Sequence, residues 1–326
     1  MGRKEGGLTM DEKNEIISQS NALTSSRYDF SSTEKNVIYH IIKKVRHDYV
    51  EGTMQRDLFD NLIVHINARD LANIADEDHT KRARKALRDL RHKDIEIEDE
   101  QGNWLNVGFI NYAKHIARTK TYEVEVSREI MPHLVELARN FTSYSLTVAI
   151  SLKSKYSQRF YEWAHQYIGR QKKEFFLDIE NLRQMLKLGK GYSQKQDMKR
   201  FIIDVAMKEL KTAFDDNRSD LWLEYREQGR GKETRFFFKI HTKEDEEAEK
   251  IRFNEVRKLE LYVYNTAKQI FKRDQKFCDR ILKALDFDPD KIQPVFDKLT
   301  KLEKDYKGQD LAKLFRYVLR EDFGIS

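Results

Sequence analysis

The sequence predicts an α+β, mainly helical protein, and two observations support this fold class. One order of elements occurs twice along the chain: a long helix, a short apolar strand, two helices separated by a turn, and a β-hairpin. Beyond residue 250, the apolar residues follow only helical patterns. The repeated order is that of a winged helix, a helix-turn-helix extended by a β-ribbon. We therefore expect two tandem winged-helix domains followed by a small helical C-terminal region.

The first copy opens with a long amphipathic helix, which Ser31 or Ser32 can cap while Glu34 closes a capping box. Its predicted elements are the helix Ser31–Arg46, the strand Leu62–Ile66, the helices Asn67–Ala75 and His79–Lys93, and a hairpin of Ile95–Glu100 and Trp104–Phe109. Gln101-Gly102-Asn103 is the turn signal of that hairpin. A further strand is expected at Tyr122–Val126 and a helix at Arg128–Asn140.

The second copy repeats the same order. Its predicted elements are the helix Ser154–Ile168, the strand Phe175–Ile179, the helices Ile179–Leu188 and Ser193–Thr212, and a hairpin from Leu221–Tyr225 to Phe236–Ile240. Gly189-Lys190-Gly191 supplies the sharp break that a helix-turn-helix requires, and Ser193 can cap the next helix. Residues 141–151 are expected to join the two copies.

After the second hairpin, residues 242–250 are rich in glutamate and are expected to form a solvated linker. Helical patterns then cover Arg252–Lys272, Phe277–Leu285, Pro289–Leu302 and Leu311–Arg320. The predicted boundaries are a flexible arm at 1–18, winged-helix domains at 19–140 and 141–241, the linker, and a helical region at 251–326. The sequence of this last region indicates no chemistry.

Composition narrows the function classes. A net charge of +6 favours nucleic acid as a partner only if the cations cluster on an element that enters a groove. The single cysteine, Cys278, allows neither an intrachain disulfide nor a zinc site, and we expect a buried thiol. No apolar run approaches the roughly 18 residues of a membrane span, and the first residues lack a signal peptide's apolar core. A cytoplasmic protein without membrane partners or cofactors is expected.

The helix after the glycine turn has the clearest DNA-binding pattern. Met198, Phe201, Ile202 and Val205 share one face and are expected to pack against the core. The residues expected to face the major groove are Gln194, Lys195, Lys199, Arg200, Asp204 and Lys208. Glutamine pairs with adenine edges and arginine with guanine edges, so this helix can distinguish bases. An amphipathic packing helix with a solvated outer face is the alternative.

The tip of the second hairpin, Gln228–Arg235, combines turn-forming glycines with cations. Arg230, Lys232 and Arg235 are expected to contact phosphates or a minor groove. Gly231-Lys232 does not belong to a nucleotide-binding phosphate loop, because Arg226 occupies the position of that motif's first glycine.

The helix His79–Lys93 divides basic and apolar residues between its faces. Ala83, Ala86, Leu87 and Leu90 form the packing stripe, and the expected phosphate contacts are Lys81, Arg82, Lys85 and Arg88. An ordinary solvated helix face explains these cations equally well. The tip of the first hairpin, Glu98–Asn103, is acidic, so we expect the first domain to serve dimerisation with auxiliary DNA contacts.

Several segments, in this order, resemble the iteron-binding plasmid replication initiators, a family built from two winged helices. They are Gln19–Leu23 with Ser31–Ile42, then Ser154–Glu162, then Asp197–Leu210, then Gly229-Arg230 with Phe236–Ile240. The resemblance covers residues 15–241 and excludes the C-terminal region. Lys199 and Arg200 match basic positions of the family's recognition helix. Family members often continue with a third basic residue, where this chain has Phe201.

The resemblance implies that the second winged helix binds a short, directly repeated origin element. It also implies that monomers open the origin, that homodimers repress the initiator's own promoter, and that host initiation proteins or a helicase are recruited. A tandem winged-helix transcriptional repressor is the main alternative. A rolling-circle nicking enzyme would need two metal-binding histidines one residue apart, and no two of the nine histidines are that close. We therefore expect neither catalysis nor a metal site.

Overall fold

The computed structural model describes residues 15–72, 77–98, 101–135, 141–272 and 274–325, apart from the side chains at 72, 77–80 and 232. Residues 1–14 of the predicted arm, 73–75 and 136–140 of two predicted helices, and 99–100 of the first predicted hairpin lie outside the described residues. The chain divides after Thr242 into two compact units.

The first unit begins with the elements of the first winged helix. They are β1 (Ile16–Ser20), α1 (Asn21–Ser25), α2 (Ser32–Val50), β2 (Gln55–Arg56), β3 (Leu62–Asn67), α3 (Ala68–Ala72), α4 (Glu77–Leu90), β4 (Asp94–Glu98), β5 (Trp104–Gly108), β6 (Ile110–Ile116), β7 (Thr121–Val126) and α5 (Pro132–Val135).

Helix α2 forms as its sequence predicts. Ser31 is the N-cap, and the predicted capping box is present because the Glu34 backbone donates to Ser31 while the Glu34 carboxylate accepts from the Ser31 backbone. The apolar stripe of Val37, Ile38, Ile41, Ile42 and Val45 is entirely buried. The capping hydrogen bonds satisfy backbone amides at the N-terminus and fix the start of the helix. Burial of the apolar stripe anchors the helix to the core.

The wing of the first winged helix is not the hairpin that the sequence indicated. Strand β3 pairs with β7 and β7 with β6, whereas β4 and β5 form a separate two-stranded sheet. We call the ribbon β6–β7 the first wing and β4–β5 the inserted hairpin. The turn signal at Gln101-Gly102-Asn103 does mark a hairpin, but long-range pairing with β3 decides which ribbon extends the helix-turn-helix. The predicted strand Tyr122–Val126 therefore belongs to the wing.

The second winged helix begins with a strand and a short helix that were not predicted, and then has the predicted order of elements. They are β8 (Phe141–Ser145), α6 (Leu146–Ser151), α7 (Lys155–Gly169), β9 (Glu174–Asp178), α8 (Ile179–Met185), α9 (195–215), β10 (Leu221–Gln228) and β11 (Arg235–Thr242). The sheet order β10-β11-β9 matches the order β6-β7-β3 of the first copy, with the short strand beside the second ribbon strand in both. We call β10–β11 the second wing, and α4 and α9 the first and second recognition helices.

The two winged helices share one hydrophobic core. Residues 141–151 are not a plain connection, because β8 pairs antiparallel with β1 from Ile16↔Ser145 to Ser20↔Phe141. This pairing also corrects the prediction of a flexible arm for residues 16–18, where Ile17 is buried in the core. The few apolar residues of this segment gave no periodic signal, so its distant pairing partner could not be inferred.

A buried polar cluster joins the two copies. Glu162 of α7 accepts hydrogen bonds from Lys35 Nζ (2.6 Å) and Tyr39 Oη (2.8 Å) of α2, and Arg159 lies 3.4 Å from its other oxygen. Tyr28 Oη accepts from both Lys35 and Arg159. Burial raises the pKa of the Glu162 carboxyl, but Lys35 and Arg159 outweigh that effect and hold this pKa below its usual range.

The second unit is helical, as predicted. Its helices are α10 (Lys243–Ile270), α11 (Gln275–Leu285), α12 (Pro289–Asp305) and α13 (Gly308–Phe323). Residues 243–250 are largely exposed, as predicted, but they belong to a helix and not to a separate linker, because α10 starts directly after β11 and its first turn holds Glu244, Asp245 and Glu246. Acidic side chains there are favoured by the helix dipole. Cys278 is buried in this unit's core, as expected.

None of the described helices combines the length and the apolar character that a membrane crossing requires.

Candidate nucleic-acid interface

The second recognition helix contains a π turn. Residues 195–198 and 204–215 are α-helical, and in the turn Lys199–Ile203 between them the amide of Asp204 donates to the carbonyl of Lys199. The wider turn adds one residue and rotates the C-terminal part of the helix relative to its start. The buried row is therefore Met198, Ile202, Ala206 and Leu210. π turns of this kind are frequent at functional sites.

This turn corrects the predicted packing face. Phe201 and Val205 were expected to pack, but they are 44% and 39% exposed on the outer face of the helix. The sequence pattern assumed an uninterrupted α-helix, and a single extra residue in one turn shifts the register between its two halves. Ser193 is also not the cap, because the helix starts one residue later with Gln194 as N-cap.

The turn before this helix is fixed by Arg183 of α8. Its guanidinium donates to the carbonyls of Tyr192 (2.7 Å) and Gly189 (2.5 Å). Gly189 has φ +53, a left-handed conformation that suits glycine. The predicted glycine break is therefore present, and a side chain from the preceding helix holds its shape.

The predicted base-contacting residues fall into two groups. Gln194, Arg200 and Lys208 are exposed, and the Arg200 guanidinium lies 5.1 Å from the centre of the Phe201 ring. Lys195 and Lys199 instead form ion pairs with Glu227 of β10, at 2.8 Å for Lys199 Nζ. These two hydrogen bonds hold the pKa of the Glu227 carboxyl below its usual range.

Asp204 is also connected to the second wing. Tyr225 Oη donates to Asp204 Oδ1 at 2.7 Å, and burial together with this carboxylate raises the pKa of Tyr225. Two sets of contacts therefore join the recognition helix to strand β10: Asp204 with Tyr225, and Lys195 and Lys199 with Glu227. The helix and the wing are thus presented as one preorganised surface.

The tip of the second wing is built on glycine. Gly229 has φ +91, and a Cβ atom there would lie 2.5 Å from the carbonyl oxygen of Glu233, so only glycine fits. Thr234 closes the tip by donating to the carbonyl of Gly231. Arg230 and Arg235 are exposed, which the expected phosphate contacts require, while the side chain of Lys232 lies outside the described residues.

The first recognition helix has the predicted division of faces. Ala83, Ala86, Leu87 and Leu90 are buried, and Lys81, Arg82, Lys85 and Arg88 are exposed. Lys85 Nζ lies 2.5 Å from Asp89, one turn further along the helix. The four predicted phosphate-contacting side chains therefore lie on a solvent-facing surface.

The first wing carries basic residues that the sequence pattern did not indicate. Arg84, Arg88 and Arg91 line a shallow depression together with Tyr112 and His115 of β6. The wing tip adds the exposed cations Arg118 and Lys120. A usable signal existed, since the strand Tyr122–Val126 needed a hairpin partner and the basic stretch before it was the nearest candidate.

Among the described residues, no group of three or more histidine, cysteine, aspartate or glutamate side chains is arranged to hold a metal ion.

Comparison with known proteins places both winged helices in one family. The model for "Initiator Replication protein, WH1" matches residues 16–165, and that for "Initiator Rep protein, WH2" matches residues 178–240. The fold is similar to a crystal structure of Pi initiator protein in complex with iteron DNA, with TM-score 0.55 and 17% identity over 72% of this chain and 99% of that one. A crystal structure of RctB domains 2-3 matches 68% of this chain and 87% of its own at 9% identity, but its TM-score of 0.36 does not establish a shared fold. The resemblance predicted from the sequence is confirmed: the chain belongs to the family of tandem winged-helix replication initiator (Rep) proteins.

Proposed function

We propose that this initiator starts plasmid replication by binding directly repeated origin sequences, or iterons, through its second winged helix. One observation carries the proposal: the exposed Arg200 and Lys208 lie on a helix that is joined to a cationic wing by Glu227 and Asp204. A helix of this kind can enter a major groove while the wing contacts phosphates. The similar Pi initiator, crystallised with iteron DNA, supports the same assignment.

In this proposal the first winged helix contributes affinity. Lys81, Arg82, Lys85 and Arg88 of its recognition helix contact phosphates, and the basic first wing extends that contact. Phosphate contacts fix the register on the duplex without specifying sequence. We further propose that this domain mediates a homodimer in equilibrium with monomers. Origin opening and recruitment of host initiation proteins or a helicase complete the proposed role, which is that of a cytoplasmic, plasmid-associated protein without catalytic activity.

A tandem winged-helix repressor is the alternative function, because the same two surfaces would serve it. The two functions differ in the DNA that they require. A protein that binds as a dimer with two-fold symmetry occupies a palindrome, whereas an initiator that binds in several copies occupies direct repeats.

Footprinting on the DNA beside the protein's own gene, at a stated salt concentration, tests the proposal. Protection of several directly repeated sites with regular spacing is the expected result. Protection of a single palindrome, with no protected direct repeats, would favour the repressor. The variant Arg200→Ala serves as the control for site-specific protection.

A further inference from the structure

Two exposed apolar side chains lie on the helix that we assign to the major groove. Phe201 and Val205 are four residues apart, and Lys208 continues the same outer row. They lie beside the buried row that contains Met198 and Ile202 and remain exposed. The π turn brings them to this position.

The Phe201 ring has defined neighbours on the surface. Its centre lies 5.1 Å from the Arg200 guanidinium and 6.1 Å from the ring centre of Tyr192. Tyr192 lies in the turn that Arg183 holds. The ring is therefore oriented by contacts on its flanks, and 44% of the residue is still exposed.

An exposed apolar side chain on a groove-facing helix gains by packing against an apolar group on the DNA, because both are then removed from water. Among the base edges in the major groove, the C5 methyl group of thymine is the apolar one. The nearby Lys195 and Lys199 are already paired with Glu227, which limits polar base contacts from the start of this helix.

We propose that Phe201 and Val205 recognise pyrimidine C5 methyl groups, those of thymine, in the major groove of the repeat. This inference rests on the proposed binding of repeats by the second winged helix. Side chains four residues apart on a helix are separated by about 5–6 Å. Successive bases of one strand are about 3.4 Å apart along the axis. The two contacted methyl groups therefore lie within about two base pairs of each other.

The test replaces thymine by deoxyuridine, one position at a time, in a duplex of the repeat mapped by footprinting. Deoxyuridine lacks the methyl group and keeps every hydrogen-bonding group of thymine. For the full-length protein, we expect binding to weaken by about fourfold at one or two thymines, the effect of one buried methyl group. A cytosine methylated at C5, placed at the same position, tests whether the methyl group itself is recognised.

Two variants assign the contacts. Phe201→Ala is expected to lose the discrimination between thymine and deoxyuridine at one position of the repeat. Val205→Ala is expected to lose it at the other position. Phe141→Ala, which removes a ring of similar exposure (45%) from strand β8, should keep the full discrimination. Circular dichroism and binding to random DNA report whether each variant folds. If Phe201→Ala does not fold, Val205→Ala still tests the inference.

The outcomes for the methyl contacts and for repeat binding are distinguishable. If the wild-type protein binds the repeat but no deoxyuridine substitution weakens binding, the inference is overturned and repeat binding stands. If Phe201→Ala and Val205→Ala both fold and keep the wild-type discrimination, the methyl groups are contacted by other residues and the assignment is again overturned. If the protein binds no repeat at all, the proposed function itself fails.

Discussion

The two winged helices share a topology but present their cations differently. In both, a short strand lies beside the second strand of the wing, and the wing comes after the recognition helix along the chain. In the second, Lys195 and Lys199 are tied to Glu227 on the wing, and Asp204 is tied to Tyr225. In the first, Lys85 pairs with Asp89, one turn further along the same helix.

This difference shows how one fold can serve specificity and affinity separately. Base recognition requires side chains held in a fixed geometry relative to the groove, which the contacts between helix and wing provide in the second domain. Phosphate attraction tolerates mobile side chains, and a row of exposed arginines on the first recognition helix is sufficient for it. We expect the second domain to recognise the base sequence of the site and the first domain to increase the affinity for DNA.

The largest effect is expected where the two domains are joined. Glu162→Gln removes the carboxylate that neutralises Lys35 and Arg159 in the core, so uncompensated charge remains buried. We expect a loss of about 3–5 kcal/mol in the free energy of unfolding, measured by urea denaturation. Asp215→Asn, which breaks the exposed pair with Lys211, should change it by less than about 0.5 kcal/mol. Equal losses in the two variants would contradict a structural role for the buried cluster.

Base recognition by the second domain is tested by Arg200→Ala. We expect binding to the cognate repeat to weaken by about 1–3 kcal/mol, with relaxed discrimination at one base position, as for loss of a bidentate contact to guanine. Fluorescence anisotropy on the repeat and on random DNA measures both quantities. Equal weakening on the two DNAs would mean that Arg200 touches only phosphate.

Phosphate contact by the first domain is tested by Arg88→Ala and Arg118→Ala. Each is expected to reduce the slope of log affinity against log salt by about one unit and to leave base preference unchanged. Lys43→Ala is the control: this half-buried cation of α2 pairs with Glu15, and its loss should leave the slope as it is. A slope unaltered by both arginine variants would remove the first wing and its helix from the DNA contacts.

The smallest effect concerns the link between the second recognition helix and its wing. Glu227→Gln frees Lys195 and Lys199 and removes a negative charge beside the DNA. We expect affinity for random DNA to rise and the ratio of cognate to random affinity to fall, with changes of about 1 kcal/mol or less because the pair is partly exposed. Glu224→Gln, a neutralisation elsewhere on β10, is the matched control and should preserve the ratio. A rise in both affinities by the same factor would limit Glu227 to a general electrostatic effect.

The periodic features of the fold could be predicted from the sequence. The stripe of α2 and the packing face of the first recognition helix are buried as expected, because a 3.6-residue period leaves a clear pattern. The glycine turn at Gly189 and the wing tip at Gly229 were also predictable, since a left-handed backbone favours glycine.

The remaining features depend on contacts that a local pattern does not contain. Strand β6 was missed because its side chains are largely exposed on both faces, which removes the alternation typical of a strand. The π turn shifts one helix by a single residue, so Phe201 and Val205 were placed on the wrong face. No local pattern marks Lys35 as buried, and only its partner Glu162, far along the chain, explains its burial.

The division of labour between the two domains is tested most directly by one measurement. The affinities of the wild type, Arg200→Ala and Arg88→Ala are compared across all single-base substitutions of the cognate repeat, at one salt concentration. We predict that Arg200→Ala flattens the profile at one position, while Arg88→Ala lowers every affinity by the same factor and leaves the profile unchanged. A profile flattened by Arg88→Ala and only uniformly lowered by Arg200→Ala would contradict this division, because the first domain would then be the one that recognises the bases.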